Sequence, residues 1–96
     1  MAELLSDIAI QRDLGGLAGW SRKGEALTKT YQFRRFMDAI AFVNRAAEAG
    51  ESADHHPDID IRYTKVTVML STHDSGGITQ KDIDLAKALE AAPQGE

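Results

Sequence analysis

The chain has 96 residues, 43% of them apolar and 27% charged, and its 15 acidic and 11 basic side chains leave a formal charge of −4. That length supports one domain with one core over residues 1–96; the apolar share is too high for disorder, and the acidic balance argues against a nucleic-acid partner. There is no cysteine, hence no disulfide, thiolate metal site or cysteine nucleophile, and with no apolar run near ~18 residues and no signal-like start a cytoplasmic protein without a membrane partner is expected.

In chain order, residues 3–14 read as a short helix. Ser6 can cap it, Asp7 suits its positive end, Leu5 can staple onto Ile10, and Gly15-Gly16 stops it. Residues 17–33 alternate loosely and carry Trp20, Tyr31 and Phe33. Two strands are expected there, 17–22 and 27–33, joined at Lys23-Gly24-Glu25. Over residues 34–49, Phe36, Ala39, Ile40, Val43, Ala46 and Ala47 make one apolar stripe at helical spacing. Gly50 is the expected stop, and no Ser, Thr, Asp or Asn caps the start.

Residues 58–72 hold two alternating runs, Ile59/Ile61/Tyr63 and Val66/Val68/Leu70. Thr64-Lys65 between them predicts a hairpin, although its turn chemistry is weak beside Asn-Gly. Over 79–91 a last helix follows. The Thr79 hydroxyl can cap the Asp82 amide, the Asp82 carboxylate can reach back, and Ile78 can staple onto Ile83, with Leu85, Ala86 and Leu89 continuing the stripe. Residues 92–96 should fray. The order αββαββα, with hairpins that imply antiparallel pairing, predicts an α+β two-layer sandwich: a four-stranded antiparallel sheet with helices on one face.

All three histidines, His55, His56 and His73, flank the second hairpin. A turn at Thr64-Lys65 sets Tyr63 opposite Val66 and Ile59 opposite Leu70, and by continuation His56 opposite His73, on one face. His55 should point elsewhere, and Pro57 keeps His56 extended. Glu51, Asp54, Asp58 and Asp74 crowd the same ends. Imidazoles beside carboxylates suit general acid–base work near neutrality. Two other readings stand beside that one: polar histidines gathering at solvated hairpin ends, and a three-histidine metal site. The capping box accounts for Asp82 structurally. Gly76-Gly77 serves either as an anion cradle or as a tight turn, Trp20, Tyr31, Phe33 and Phe36 read as core, and Arg34-Arg35 reads as a solvated helix start.

Several spaced motifs then carry a resemblance. They are Glu51-Ser52-Ala53-Asp54-His55-His56-Pro57, Tyr63-Thr64-Lys65-Val66, Ser71-Thr72-His73-Asp74-Ser75-Gly76-Gly77-Ile78-Thr79 and Asp82, with Gly19-Trp20 and Phe33/Phe36/Phe42 upstream. The pattern resembles the pterin-4a-carbinolamine dehydratase family over nearly the whole chain. The resemblance implies the αββαββα fold, no metal or organic cofactor, and dehydration of 4a-hydroxytetrahydropterin to quinonoid dihydropterin. Such a reaction recycles the tetrahydrobiopterin used by aromatic amino-acid hydroxylases. Carried over by position, the catalytic residues are His55, His56 and His73, and the supporting, substrate-binding carboxylates are Glu51, Asp54 and Asp82. Ile59 stands where the family often has an aromatic residue, which removes a stacking partner for the pterin.

The resemblance also implies a homodimer or homotetramer, and an alternative role as an interaction module: a dimerisation cofactor for a transcription factor, or an assembly factor for a large carboxylase. The three retained histidines favour the enzyme. Independently, the run 66–70 is uncharged, so one of the two strands of the second hairpin should be interior or paired with a second copy, because an open uncharged edge invites association.

Overall fold

A computed structural model describes residues 2–91; the frayed end expected at 92–96 lies outside the described residues. The elements are α1 (Asp7–Leu14), β1 (Ser21–Lys23), β2 (Ala26–Gln32), α2 (Phe36–Ala53), β3 (Asp58–Arg62), β4 (Lys65–Leu70), a 3-10 turn (His73–Ser75) and α3 (Gln80–Ala91). The strands form one antiparallel sheet in the order β1-β2-β4-β3. This is the α+β arrangement αββαββα expected from the sequence.

Strand register explains which face carries the core. Leu27 pairs with Leu70, Lys29 with Val68 and Tyr31 with Val66, while Ile59 and Ile61 pair with Val68 and Val66 on the other side. Paired residues share a face, so the buried Leu27, Tyr31, Val66, Val68 and Leu70 all point toward the helices. Thr28, Thr30, Lys65, Thr67 and Met69 lie on the opposite face. Phe42 of α2 sits at the centre, fully buried, with its ring 4.3 Å from Tyr31 and 5.4 Å from Phe33 between centroids. Burying one such ring stabilises the fold by about 1.5–3 kcal/mol.

Several boundaries differ from the sequence expectations, each for a local reason. The first helix starts at Asp7, because Ser6 is its N-cap and accepts from the Ala9 amide. The first hairpin turns at Gly24-Glu25, and residues 17–19 form turns rather than strand. The second hairpin turns at Tyr63-Thr64, not Thr64-Lys65, so that Arg62 pairs with Lys65 and Ile59 with Val68. Tyr63 takes φ 55 there. Its ring is 74% exposed and stacks on Phe36 at 6.4 Å. The shift moves the register by two residues, which preserves every in/out assignment but removes the pairing of His56 with His73; the ladder ends at Asp58 and Met69. The uncharged strand β4 is interior, between β2 and β3, and the open edges are β1 and β3.

Gly50 does not end α2. The helix runs to Ala53 and closes on Asp54, whose φ of 50 supplies the left-handed cap. The buried stripe is Ala39, Phe42, Ala46 and Gly50; Ala39 and Ala46 belong to the stripe first expected, Ile40 and Val43 are half-buried at its margin, and Phe36 and Ala47 are exposed. Gly50 is buried because the following segment folds back onto it. A Cβ there would lie 2.7 Å from Pro57 Cδ and 3.2 Å from the His55 carbonyl oxygen, and the His55 amide donates to the Gly50 carbonyl at 2.9 Å.

A polar cluster fastens the far end of α3. The Glu90 Oε2 atom accepts from Trp20 Nε1 at 3.1 Å, Lys29 Nζ at 2.8 Å and the Tyr31 hydroxyl at 2.6 Å. Lys29 occupies an inward-facing strand position, and its ammonium also donates to the Ala18 carbonyl and lies 4.7 Å from the Tyr31 ring centroid. Burial opposes ionisation of Glu90, yet the bonds from Lys29, Tyr31 and Trp20 outweigh it and hold the carboxyl below its ordinary range. Burial first, and then the bond to Glu90, push the Tyr31 phenol up. A carboxylate in the last helical turn faces the negative end of the helix dipole, and Lys29 offsets that.

Two outcomes follow. Replacing glycine by alanine within a helix normally gains about 0.5–1 kcal/mol. Here Gly50→Ala should instead lose about 1–3 kcal/mol in urea denaturation, the usual cost of overpacking, because a proline ring fused to the backbone cannot swing aside. Glu90→Gln should lose about 1–2 kcal/mol at pH 7. Since the folded state lowers the Glu90 pKa, its contribution is present above the unfolded value and is lost as pH falls through the folded one. The difference between wild type and Glu90→Gln should therefore shrink below about pH 4.

Candidate active site

Three connections meet at one end of the sheet. The segment after α2 brings His55 and His56, the end of β4 and the 3-10 turn bring Thr72 and His73, and the start of α3 brings Thr79 and Asp82. Each is fixed locally. His55 is tied by its amide to Gly50, and Pro57 packs on that glycine. The 72–77 turn is closed by the Thr72 amide donating to the Gly77 carbonyl at 2.8 Å and the Ser75 amide to the Thr72 carbonyl at 3.0 Å, with Gly76 at φ 78. The N-terminal segment braces this turn. The Leu5 amide donates to the Ile78 carbonyl at 2.9 Å, and the Ser75 hydroxyl to the Ala2 carbonyl at 2.6 Å. Gly76-Gly77 is thus a tight turn, and a Cβ on Gly77 would lie 3.1 Å from Leu4 Cδ2.

The outcome is a cleft of about 270 Å3 lined by Asp54, His55, His56, Ser71, Thr72, His73, Asp74 and Lys81. All three histidines line it, although the register argument that joined His56 to His73 does not hold. His55 also faces a smaller recess of about 160 Å3 formed with Ala53, Lys81, Asp84, Leu85 and Ala88. The volume of the cleft lies just under the usual range for ligand pockets, about 300–1,000 Å3. Among the described residues no three histidine, aspartate or glutamate side chains converge at metal-ligating distances.

Two of the imidazoles rest on carboxylates of very different character. His55 Nε2 is 2.6 Å from Asp82 Oδ1, with His55 11% and Asp82 0% exposed. His56 Nε2 is 2.6 Å from Glu51 Oε1, with both side chains largely in water. Neither Asp82 nor Glu51 lines the cleft; each stands behind its histidine. Asp54 does line it, and His73 lines it from the 3-10 turn, exposed.

Asp82 is held on its other oxygen. Oδ2 accepts from the Thr72 hydroxyl at 2.9 Å and from the Thr79 amide at 2.9 Å. The carboxylate reaches back to the helix start as the capping box requires. The Thr79 hydroxyl, however, caps the Lys81 amide at 3.2 Å rather than that of Asp82. Because a carboxylate only accepts, His55 Nε2 must carry a hydrogen. Its Nδ1 is then the nitrogen left to exchange a proton with a bound molecule. Sequence reasoning named Thr72 only within a motif. The signal for its role was present: residues 66, 68, 70 and 72 share one face, so a hydroxyl at 72 points where apolar side chains precede it.

The chain matches the model of the pterin 4 alpha carbinolamine dehydratase family over residues 3–92. It is 54% identical over 89 residues to a protein of Nostoc sp. provisionally named pterin-4-alpha-carbinolamine dehydratase, covering 93% of this chain and 96% of that one. A Roseiflexus sp. protein of the same provisional name is 54% identical over 90 residues, covering 94% and 97%. Among solved structures, a transcriptional coactivator/pterin dehydratase from Brucella melitensis superposes with a TM-score of 0.89 at 34% identity, covering 93% of this chain and 97% of that one. A pterin dehydratase-like protein described as a RuBisCO assembly factor in the alpha-carboxysome shares the fold, with a TM-score of 0.61 at 23% identity over 75% of this chain and 83% of that one. A match across almost the full chain, with half of the residues identical in the relatives, makes this protein a member of the pterin-4α-carbinolamine dehydratase family.

Proposed function

We propose that this protein dehydrates a 4a-hydroxytetrahydropterin to quinonoid dihydropterin and water, by proton exchange among His55, His56 and His73. The observation that carries this reading is three imidazoles on one small cleft, one of them backed by a fully buried carboxylate. In the reaction the bond from C4a to the hydroxyl oxygen breaks and a C4a=N5 double bond forms. The leaving oxygen takes up a proton and departs as water, and N5 gives its proton up. One imidazole acts as acid toward the hydroxyl and another as base toward N5, a pairing suited to neutral pH.

Asp82 would hold the His55 ring and balance the charge formed when Nδ1 takes a proton, as a triad carboxylate does for its histidine. Glu51 would do the same for His56 in water, where the effect is weaker. Asp54 lines the cleft and is proposed as a substrate-binding carboxylate, accepting from the amino group of the pterin's pyrimidine ring. Ile59 is half-buried on β3 and packs against the core, so the cleft depends on other side chains to hold the flat ring. The pathway this supports is recycling of a reduced pterin cofactor.

A second reading, a protein-interaction role, is favoured by one surface. Phe36, Met37, Ile61 and Tyr63 are exposed apolar side chains, two of them the stacked pair, beside the open edge strand β3. We assign that surface to self-association. If β3 pairs antiparallel with its copy about Asp60, Asp58 faces Arg62 of the partner subunit on either side of the axis, an isologous contact with two opposite-charge pairs. Asp60 then meets its own copy on the axis, each carboxylate already bonded to Arg62 within its chain at 3.2 Å.

His55→Ala should lower kcat for 4a-hydroxytetrahydropterin by about 100-fold, with His73→Ala and His56→Ala also slowed and turnover unaffected by exhaustive chelation. Activity that vanishes with chelator and returns with zinc would overturn the acid–base reading. Light scattering at micromolar concentration should give a multiple of the 10.5 kDa chain mass. Ile61→Asp should reduce it toward the monomer.

A further inference from the structure

The buried polar groups behind His55 form a directed chain. At one end stands the Lys81 amide, which can only donate, and at the other the Asp82 carboxylate, which only accepts. The Lys81 amide donates to Thr79 Oγ1 at 3.2 Å, and Thr79 Oγ1 lies 2.7 Å from Thr72 Oγ1, which in turn donates to Asp82 Oδ2 at 2.9 Å. Each hydroxyl has one hydrogen. Thr72 spends its own on Asp82, so Thr79 must donate to Thr72. No link can reverse without setting two donors or two acceptors face to face. Thr72, Thr79 and Asp82 are all buried, and the hydrogen bonds of such a network polarise one another in the same sense.

We propose that Thr72 is a positioning residue for the reaction: its hydroxyl, oriented by Thr79, fixes the Asp82 carboxylate so that only Oδ1 faces His55, and thereby holds the His55 ring with Nδ1 toward the substrate. Two donors occupy Oδ2, so the carboxylate cannot rotate to offer it to His55. Without the Thr72 hydroxyl, Oδ2 keeps only the Thr79 amide, and the carboxylate gains a torsional freedom that His55 inherits. His55 is the imidazole affected. His56 rests on Glu51, outside this chain of bonds, and serves as the internal control.

The inference rests on the dehydratase reading for its rate measurement and is independent of it for its spectroscopic one. The variants are Thr72→Val, which keeps shape and removes the hydroxyl, and Thr72→Ser, which restores it. Imidazole 1H–15N correlation spectra of the free protein report the tautomer of each histidine. Wild type and Thr72→Ser should show His55 as a single Nε2–H tautomer. Thr72→Val should keep that tautomer but broaden and shift the His55 Nε2–H correlation, because ring and carboxylate then move together, with no change at His56. In turnover, Thr72→Val should lose kcat by roughly ten- to hundredfold, the scale of a misplaced catalytic group, with KM little changed and Thr72→Ser near wild type. A Thr72→Val protein with wild-type kcat and an unaltered His55 pattern overturns the proposal, and so does a Thr72→Ser protein that behaves like Thr72→Val. If Thr72→Val does not fold, Thr79→Val removes the upstream donor and keeps the backbone bond to Asp82. It should give the same broadening and shift to a lesser degree, and an unaltered His55 pattern there also overturns the proposal. If the wild type turns over no 4a-hydroxytetrahydropterin while the His55 change still appears in Thr72→Val, the dehydratase reading fails and the positioning role stands.

Discussion

A carboxylate taken wholly out of water needs its lone pairs met inside the protein, and Asp82 meets that demand from three separate stretches of chain. The start of α3 supplies the Thr79 amide, the end of β4 supplies the Thr72 hydroxyl, and the segment after α2 supplies His55. Leaving such a charge unpaired costs several kcal/mol, so the three stretches are held at one point by a penalty far larger than a surface ion pair could impose. The cleft is the solvent side of that junction. Its other walls, the 72–77 turn and the His55–His56 segment, are positioned because they flank groups that Asp82 requires. The braces on α2 and the N-terminal segment act on the same junction from outside: Gly50 lets Pro57 approach, and Leu5 and Ser75 pin the turn.

Much of the fold was legible because periodicity survives small errors. Placing the second turn at Thr64-Lys65 rather than Tyr63-Thr64 shifted the ladder by two, and a shift of two keeps Val66, Val68 and Leu70 on the buried face. The turn itself was hidden because Tyr63 adopts a left-handed conformation that its residue type does not favour, with its ring stacked on Phe36. A glycine is a conventional helix stop, yet Gly50 lies within α2 because close approach by Pro57 demands a missing side chain there. Composition alone does not separate those two uses of glycine. The order of strands was likewise out of reach of local pattern: β4 lies between β2 and β3, and only long-range pairing decides that.

The candidate site was legible in its residues and illegible in its wiring. The motif Asp54-His55-His56-Pro57 followed by Thr72-His73 marks where the imidazoles are, but a sequence does not say that His55 turns to a buried carboxylate and His56 to an exposed one. Asp82 looked like a capping residue, and it is one; the same carboxylate reaches His55 with its second oxygen. Polar residues at inward-facing strand positions were the unused signal. Lys29 occupies such a position and Thr72 continues the inward alternation just past β4, and each serves a carboxylate of α3: Thr72 the buried Asp82 behind the cleft, Lys29 the partly exposed Glu90 at the opposite end of the helix.

That pairing of α3 with two carboxylates bears on how one fold supports different roles. Each end of the helix is fastened to the sheet through an acidic side chain, but the two fastenings differ in kind. Glu90 Oε2 is met by an indole, a phenol and an ammonium, none of which lines the histidine cleft. Asp82 is satisfied partly by an imidazole that opens onto a cleft. A scaffold needs both ends of α3 secured, and an apolar pair would secure the second as well as a buried ion pair does, with no desolvation to offset. The arrangement at Asp82 is therefore more than anchoring requires. The excess is the feature expected of proton-transfer chemistry, in which a ring must be held in one tautomer while its free nitrogen works. The apolar surface at Phe36 and Tyr63 lies on α2 and the second hairpin, on residues other than those that line the cleft, so the proposed association and the proposed chemistry draw on separate residues.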